Sequence, residues 1–273
     1  MPIRAIRPPA AGARGEEGAA RRATLTLLRS AAMRVAVLSD IHSNLVALDA
    51  VLAHAGPVDA VWQLGDVVGY GPDPDGVVAR LIGVGAIGVR GNHDAAALGG
   101  PEIDWFNPEA RAAAAWTRDT IDETTRAWLS VLPERHAIDR FTLVHGSPRD
   151  PIREYVSSPG IALENLAVLE TDVGLHGHTH VPVAFCLGDD DRMRIVEPGN
   201  GGSLDLGLDR ALVNPGSVGQ PRDGDPDASY LILDPDTGTV TWHRVPYDIA
   251  TVQDAIRAAG LPGRLADRLA FGA

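Results

Sequence analysis

The chain contains no lysine: all 24 of its basic residues are arginine, a skew that reads as genomic base composition and carries no chemistry of its own. Cysteine is almost as scarce. With Cys186 alone, an internal disulfide and a thiolate zinc cage are both excluded. Its setting, Val183-Ala184-Phe185-Cys186-Leu187, reads as that of a buried structural thiol. No apolar stretch approaches the ~20 residues of a membrane span, so no membrane partner is expected and the cytoplasm is the expected location. Positive charge is in deficit as well. A net charge of −12 leaves no basic face for gripping long nucleic acid through its phosphates.

What is present is a chain of 273 residues with 45% hydrophobic content, enough for a substantial core. Residues 1–32 differ from the rest: six arginines, many Ala and Gly, Pro8-Pro9 and no sustained periodicity. The apolar stretch Ala23 to Leu28 ends at Arg29 and is shorter than the ~7–15 residues of a signal core. Residues 1–32 are therefore expected to be a disordered or mis-annotated extension, with Met33 a natural initiator and residues 33–273 the folded domain.

From Met33 the pattern alternates. Arg34 to Ser39 is a continuous apolar run, as for a parallel strand buried on both faces. Leu45, Leu48, Val51 and Leu52 recur at helical spacing, with Asn44 as N-cap. Ala60 to Leu64 reads as a strand, Val77 to Ile82 as a helix and Ala86 to Val89 as a third strand. This βαβαβ rhythm implies a parallel sheet with ligands at the carboxyl ends of its strands. Residues 107–132 read as helical, with Trp116 and Trp128 packing on the sheet. Phe141 to Val144, a helix over 161–169 and Val173 to Leu175 follow. The second half turns to β at 182–187, 192–196, 211–213, 229–233 and 239–245, and a helix over 249–259 closes the domain. The segment 197–209 reads as a Gly-rich connection tolerant of insertion. The expected fold is α/β, an αββα sandwich of two mixed β-sheets flanked by helices.

Five short motifs punctuate this pattern, each after a predicted strand: Asp40-Ile41-His42, Gly65-Asp66, Gly91-Asn92-His93-Asp94, His145-Gly146 and Gly177-His178-Thr179-His180. Taken singly they are weak; Gly-Asp is common in turns, and a strand-end Asp usually caps a helix. Together they bring Asp40, His42, Asp66, Asn92, His145, His178 and His180 to one set of strand ends. Mixed nitrogen and oxygen donors without sulfur suit Mn²⁺, Fe, Zn²⁺ or Co²⁺. Asp66 offers two oxygens, enough to bridge a pair of ions. Two ions ~3.5–4 Å apart can clamp a phosphoryl group and activate a bridging water for in-line attack on phosphorus. His54, His136 and His243 lie outside the motifs and read as structural or surface residues.

In the order and spacing of these motifs, residues 33–273 resemble the calcineurin-like metallophosphoesterase superfamily. The resemblance implies one ion held by Asp40, His42, Asp66 and His180, and another by Asp66, Asn92, His145 and His178. It also implies that His93 is no ligand but donates a proton to the leaving oxygen or stabilises the transition state, with Asp94 orienting its imidazole. The fold serves elsewhere as a binding scaffold in the retromer coat, in a relative that lacks part of the constellation; here every ligand position is filled.

Two departures bear on the substrate. Tyr70 stands where protein phosphatases and symmetrical diadenosine tetraphosphate hydrolases carry a phosphate-contacting Arg, and Asp94 stands where the protein phosphatases have Glu. Both resemble the small prokaryotic phosphodiesterase-like branch, which implies a small phosphodiester or nucleotide-like substrate and Mn²⁺ or Ni²⁺. A dinucleoside polyphosphate or a phosphomonoester is the alternative. Arg222 and Tyr70 are the candidate substrate contacts, the alternatives being a solvated loop charge for Arg222 and packing for Tyr70. The segment Asn214-Pro215-Gly216-Ser217-Val218-Gly219 reads either as a tight turn or as a backbone cradle for an anion. Arg90 reads as paired with a carboxylate.

Overall fold

The computed structural model describes residues 33–207 and 209–273; the expected extension over 1–32 lies outside the described residues. The chain opens with strand β1 (Val35–Leu38), helix α1 (Leu45–Ala55), β2 (Ala60–Gln63), α2 (Pro74–Gly83) and the two-residue β3 (Ile87–Gly88). Helices α3 (Asn92–Ala97), α4 (Pro108–Thr120) and α5 (Glu123–Ser130) follow. The second sheet begins with the β4 (Arg135–Ile138) and β5 (Phe141–Val144) hairpin, then α6 (Pro159–Val168), β6 (Val173–Leu175), β7 (Val183–Leu187) and β8 (Met193–Val196). Strands β9 (Ser203–Asp205), β10 (Arg210–Asn214), β11 (Ala228–Asp234) and β12 (Thr239–Val245) precede α7 (Ile249–Ala258) and α8 (Gly263–Asp267).

The strands form two six-stranded mixed sheets, in the orders β3-β2-β1-β11-β12-β9 and β4-β5-β6-β10-β7-β8. Within the first, β1, β2 and β3 are parallel, as the βαβαβ pattern requires, and β11 runs antiparallel to β1. The alternation of side chains along β1 shows why its sequence is apolar throughout. Val35 and Val37 face the layer between the sheets, where they meet Trp62, Phe141, Leu175 and Val213. Ala36 and Leu38 face the opposite way, onto Leu48 and Val51 of α1 and Val77 and Leu81 of α2. A strand buried on both faces has no polar position to spare. The outer face of the second sheet is covered by α6 through Ala162 and Leu166 against Phe185 and Leu212. The αββα sandwich is therefore the observed architecture, with Cys186 wholly buried inside it.

Three expectations are corrected. Residues 107–132 hold two helices, because Asp122 accepts from Thr125 N and caps a new one. Trp128 packs on the helix-covered face of the first sheet, but Trp116 packs with α7 and α8 residues instead. The segment 197–209 contains β9, which pairs with β12 through Leu204 and Val240. Both β9 and β4 are edge strands in which exposed and covered positions alternate, so neither has an apolar run to announce it. Among the described residues no helix is long and apolar enough to cross a membrane.

Leu38 is completely buried between β1 and the α1–α2 layer. Leu38→Ala removes its side chain from a packed site, and we expect urea denaturation to show a loss of about 2–5 kcal/mol.

Candidate active site

Every motif sits just beyond the carboxyl end of a strand: Asp40 after β1, Asp66 after β2, Asn92 after β3, His145 after β5 and His178 after β6. Adjacent strand ends bring them together in two buried groups that share Asp66. One is Asp40, His42, Asp66 and His180; the other is Asp66, His145 and His178; within each group the ligand atoms lie within 4.8 Å of one another. Asn92 joins the second through Oδ1, 2.8 Å from His145 Nε2. All seven predicted ligand residues thus meet at one place.

The histidines are oriented by their far nitrogens. His42 Nδ1 faces Val68 O at 3.3 Å, His145 Nδ1 faces Leu64 O at 2.9 Å, and His180 Nδ1 faces Gln220 O at 2.6 Å. His178 is turned the other way, with Nε2 against Arg153 O at 3.1 Å. A carbonyl only accepts, so each of these nitrogens carries the proton and the other presents its lone pair to the cluster. Those lone pairs converge: His42 Nε2 lies 3.2 Å from His180 Nε2, and His145 Nε2 lies 2.9 Å from His178 Nδ1. Facing acceptors repel unless something positive sits among them.

The carboxylates show the same demand. Asp40 Oδ2 accepts from Ser39 Oγ (2.7 Å) and His178 N (3.1 Å), leaving Oδ1 buried with no hydrogen-bond partner, 3.2 Å from His180 Nε2. Asp66 Oδ1 accepts from His93 N at 2.8 Å. Its Oδ2 faces both groups, 3.6 Å from His42 Nε2 and 3.4 Å from His145 Nε2. One oxygen of Asp66, and not the expected two, is thus turned to the cluster. Burial opposes charge on Asp40, yet His180 and His145 keep its carboxyl below the ordinary range. Burial likewise opposes a proton on His145, but Asp66 and Asp40 hold it up to about 9. Burial keeps His178 down to about 3. Ionised carboxylates and a neutral His178 have the donor chemistry of divalent-cation ligands, and His145 would join them by releasing its second proton to a bound cation.

Local backbone geometry is strained where the donors sit. Asp40, His42, Asp66, His178 and His180 all have positive φ between 50° and 66°, as do Ser43 and Tyr70. Such conformations cost a non-glycine residue energy and persist when tertiary structure over-determines them. Close approach does this twice. A Cβ on Gly91 would fall 2.2 Å from Asp66 Oδ1, and one on Gly177 would fall 1.9 Å from Ser39 Oγ. These glycines let the third and fifth motifs close onto the second and first.

Other predicted residues take different places. Asp94 does not orient His93. Its oxygens accept from Val68 N (3.0 Å) and Gly91 N (2.9 Å), pinning the second motif to the start of α3, and His93 Nδ1 is buried without a partner. Burial first, and then Asp66, pushes the Asp94 carboxyl up to about 7. The Asn214–Gly219 segment is a turn and no anion cradle. The amides of Gly216, Val218 and Gly219 are spent on Asn214 Oδ1, Ser39 O and Asp40 O, and Ser217 Oγ donates to Asp40 O. Asn44 caps α1 through Ala47 N, and Arg90 pairs with Glu134.

Beside the cluster opens a cavity of about 470 Å³, floored by Asn92, His93 and His178. Tyr70 and Arg222 line it, with the Arg222 guanidinium 5.8 Å from the Tyr70 ring centre. Its walls also include Trp105, Phe106, Arg153 and Tyr155, which lie in short segments where no sequence periodicity marks them. His176, which precedes the fifth motif and carries no motif signal of its own, is wholly buried and lies 3.3 Å from Asn214 Nδ2 through Nδ1.

The sequence pattern of the calcineurin-like phosphoesterase superfamily domain matches residues 33–238. The chain belongs to this superfamily. A metallophosphoesterase from Sphaerobacter thermophilus has a crystal structure that superposes with a TM-score of 0.82, at 46% identity over 89% of this chain and all of that one. Phosphodiesterase YfcE of Escherichia coli is 32% identical over 76% of this chain and 91% of its own length. An uncharacterized protein from Methanocaldococcus jannaschii is 35% identical over 87% of this chain and 98% of its own length. These relatives belong to the small prokaryotic branch. Membership makes the chain a hydrolase of phosphoric esters, and the buried Asp/His cluster is compatible with a dinuclear metal centre.

Because Asp94 satisfies two buried amides, Asp94→Ala should cost about 2–4 kcal/mol in urea denaturation, as expected for leaving such donors unpaired. A loss of activity with unchanged stability would contradict this bracing role.

Proposed function

We propose that this phosphoesterase hydrolyses a small phosphodiester, with Mn²⁺ as its preferred ion and the cytoplasm as its location. The observation that carries the metal assignment is the shared Asp66 between two buried groups whose imidazole lone pairs and free Asp40 oxygen point at one another. One ion would be held by Asp40, His42, Asp66 and His180, the other by Asp66, Asn92, His145 and His178. Bound there, two divalent ions would supply Lewis-acid activation of the phosphoryl group and of water.

The protein's own groups complete the chemistry. Among its lining residues the cavity has two arginines and no carboxylate, in a chain of net charge −12. Arg153 faces Glu102, so Arg222 supplies the uncompensated positive charge that would draw an anionic ester to the site. Arg222 has no carboxylate partner among the described residues; its contacts are Gln220 Oε1 at 2.9 Å and the Tyr70 ring, and its Nε is buried and unpaired. It is the side chain proposed to hold the ester phosphate, taking from another loop the role of the Arg that Tyr70 displaces. His93, stacked on Phe106 at 4.4 Å, is proposed to deliver a proton to the leaving oxygen. Burial, assisted by Arg222, lowers this imidazole to about 4, against the pull of Asp66. An anionic ester beside it acts in the opposite direction and favours the protonated form. Support for a diester comes from the YfcE relative; the alternative substrates are a dinucleoside polyphosphate and a phosphomonoester.

Chelator-treated protein should be inactive toward bis-p-nitrophenyl phosphate and regain activity with Mn²⁺, with p-nitrophenyl phosphate the poorer substrate. Faster cleavage of the monoester would overturn the diester assignment, and full activity without metal would overturn the centre itself. Asp66→Asn should lose at least one bound ion by elemental analysis. His93→Ala should keep both ions and lose about 10²–10⁴-fold in rate on a diester with a poor leaving group; unchanged turnover of that ester would remove His93 from its role.

A further inference from the structure

The wall of the cavity facing the candidate metal ligands is aromatic to a degree the composition does not anticipate. Only 5% of the chain is Phe, Trp or Tyr, yet Tyr70, Trp105, Phe106 and Tyr155 converge on this one cavity. Two of them are anchored and left open. Tyr155 lies on the His178 imidazole with ring centres 3.7 Å apart and planes 23° apart, and is 47% exposed. Trp105 carries the Arg153 guanidinium 3.7 Å from its ring centre and is 57% exposed. Exposed aromatic faces grouped at one cavity mark a ligand site, as those scattered singly over a surface do not.

Their supports are built for rigidity. Arg153 is held toward Glu102, 3.6 Å away and nearly buried. The loop carrying Arg153 and Tyr155 is tied down by Glu154, which pairs with Arg149 and accepts from Ser147 Oγ and Asn165 Nδ2, each at 2.7 Å. Arg149 N donates to Asn165 Oδ1 at 2.8 Å, fastening the loop to α6. The same loop supplies the Arg153 carbonyl that orients His178. Fixed planar faces beside a fixed guanidinium offer stacking area together with in-plane N–H donors.

We infer that Trp105, Tyr155 and Arg153 form a nucleobase subsite, so that the diester is a nucleoside ester with its phosphate at the Arg222 end of the cavity and its base against the aromatic wall. This rests on the phosphodiesterase reading above and adds to it the chemical class of the esterified alcohol. A flat heteroaromatic ring uses both the π-faces and the guanidinium donors; an alkyl or glyceryl arm uses neither.

The test is calorimetric titration of the Mn²⁺-loaded protein with adenosine 5′-monophosphate and with ribose 5-phosphate, which share a phosphate and a sugar and differ in the base. The nucleotide should bind tighter by about tenfold or more, the scale of base–aromatic stacking. Trp105→Ala and Tyr155→Ala should each shrink that ratio, while Trp105→Phe should retain most of it. Both aromatic residues are about half exposed, so the variants should fold, and circular dichroism checks that they do. Equal affinities in the unmodified protein, a ratio unmoved by both alanine variants, or no binding of either compound would overturn the subsite. Hydrolysis of bis-p-nitrophenyl phosphate by the same preparation separates the two readings: activity retained with the subsite lost leaves the phosphodiesterase assignment standing, and activity absent removes both.

Discussion

Mutual repulsion among buried acceptors governs the rest of this molecule. Four imidazole nitrogens are turned to one small volume, together with Asp40 Oδ1, Asp66 Oδ2 and Asn92 Oδ1, all of them buried. Such an arrangement is unfavourable for the polypeptide alone, since buried charges and unpaired acceptors each cost several kcal/mol. It is maintained by a ring of backbone donors and acceptors. Carbonyls of Leu64, Val68, Arg153 and Gln220 fix the imidazoles, while amides of His93 and His178 fix the two carboxylates. Orientation is thus set mostly by main chain, whose position follows from the two sheets. A pair of cations held there would convert the repulsion to attraction, which is why such a cluster reads as a site rather than as a core defect.

Two sheets are needed because one parallel set of strand ends does not supply enough donors. The first sheet brings Asp40, Asp66 and Asn92 from β1, β2 and β3; the second brings His145, His178 and His180 from the ends of β5 and β6. Bringing the two sets within hydrogen-bond reach forces the chain through left-handed conformations at five of the donors. The sandwich core, filled between the sheets by residues such as Trp62, Phe141 and Leu231, supplies the packing that offsets the strain.

Much of this was legible in the sequence, for reasons that differ by element. Strands β1, β5 and β6 are short apolar runs ending in a motif, so position and type were both readable. The donor residues were readable because metal chemistry restricts residue type and because each follows a strand. The edge strands β4 and β9 were not readable, since one face of each is solvated and side-chain alternation is short. Asp94 was misassigned for a related reason. Adjacency to His93 suggested a contact, but at the start of a helix a carboxylate at this position reaches back to amides, as it does at Gly91 and Val68. Asn214–Gly219 was ambiguous until its amides could be followed to Ser39 and Asp40.

The cavity wall was least visible of all, and the reason is structural. Trp105 closes a 3₁₀ turn and Tyr155 sits in a connection held by Arg149, Glu154 and Asn165, so neither belongs to a periodic element. The donors stand at strand ends, where displacement would cost core packing. The wall stands on loops, whose side chains can change without disturbing the sheets. Yet the separation is incomplete. Tyr155 stacks on His178 and the Arg153 carbonyl orients it, so the segment that shapes the cavity also fixes a candidate ligand. A change at that loop that moves its backbone should therefore reach the candidate metal ligands, whereas one confined to the outer faces of Trp105 or Tyr155 should alter only what the cavity admits.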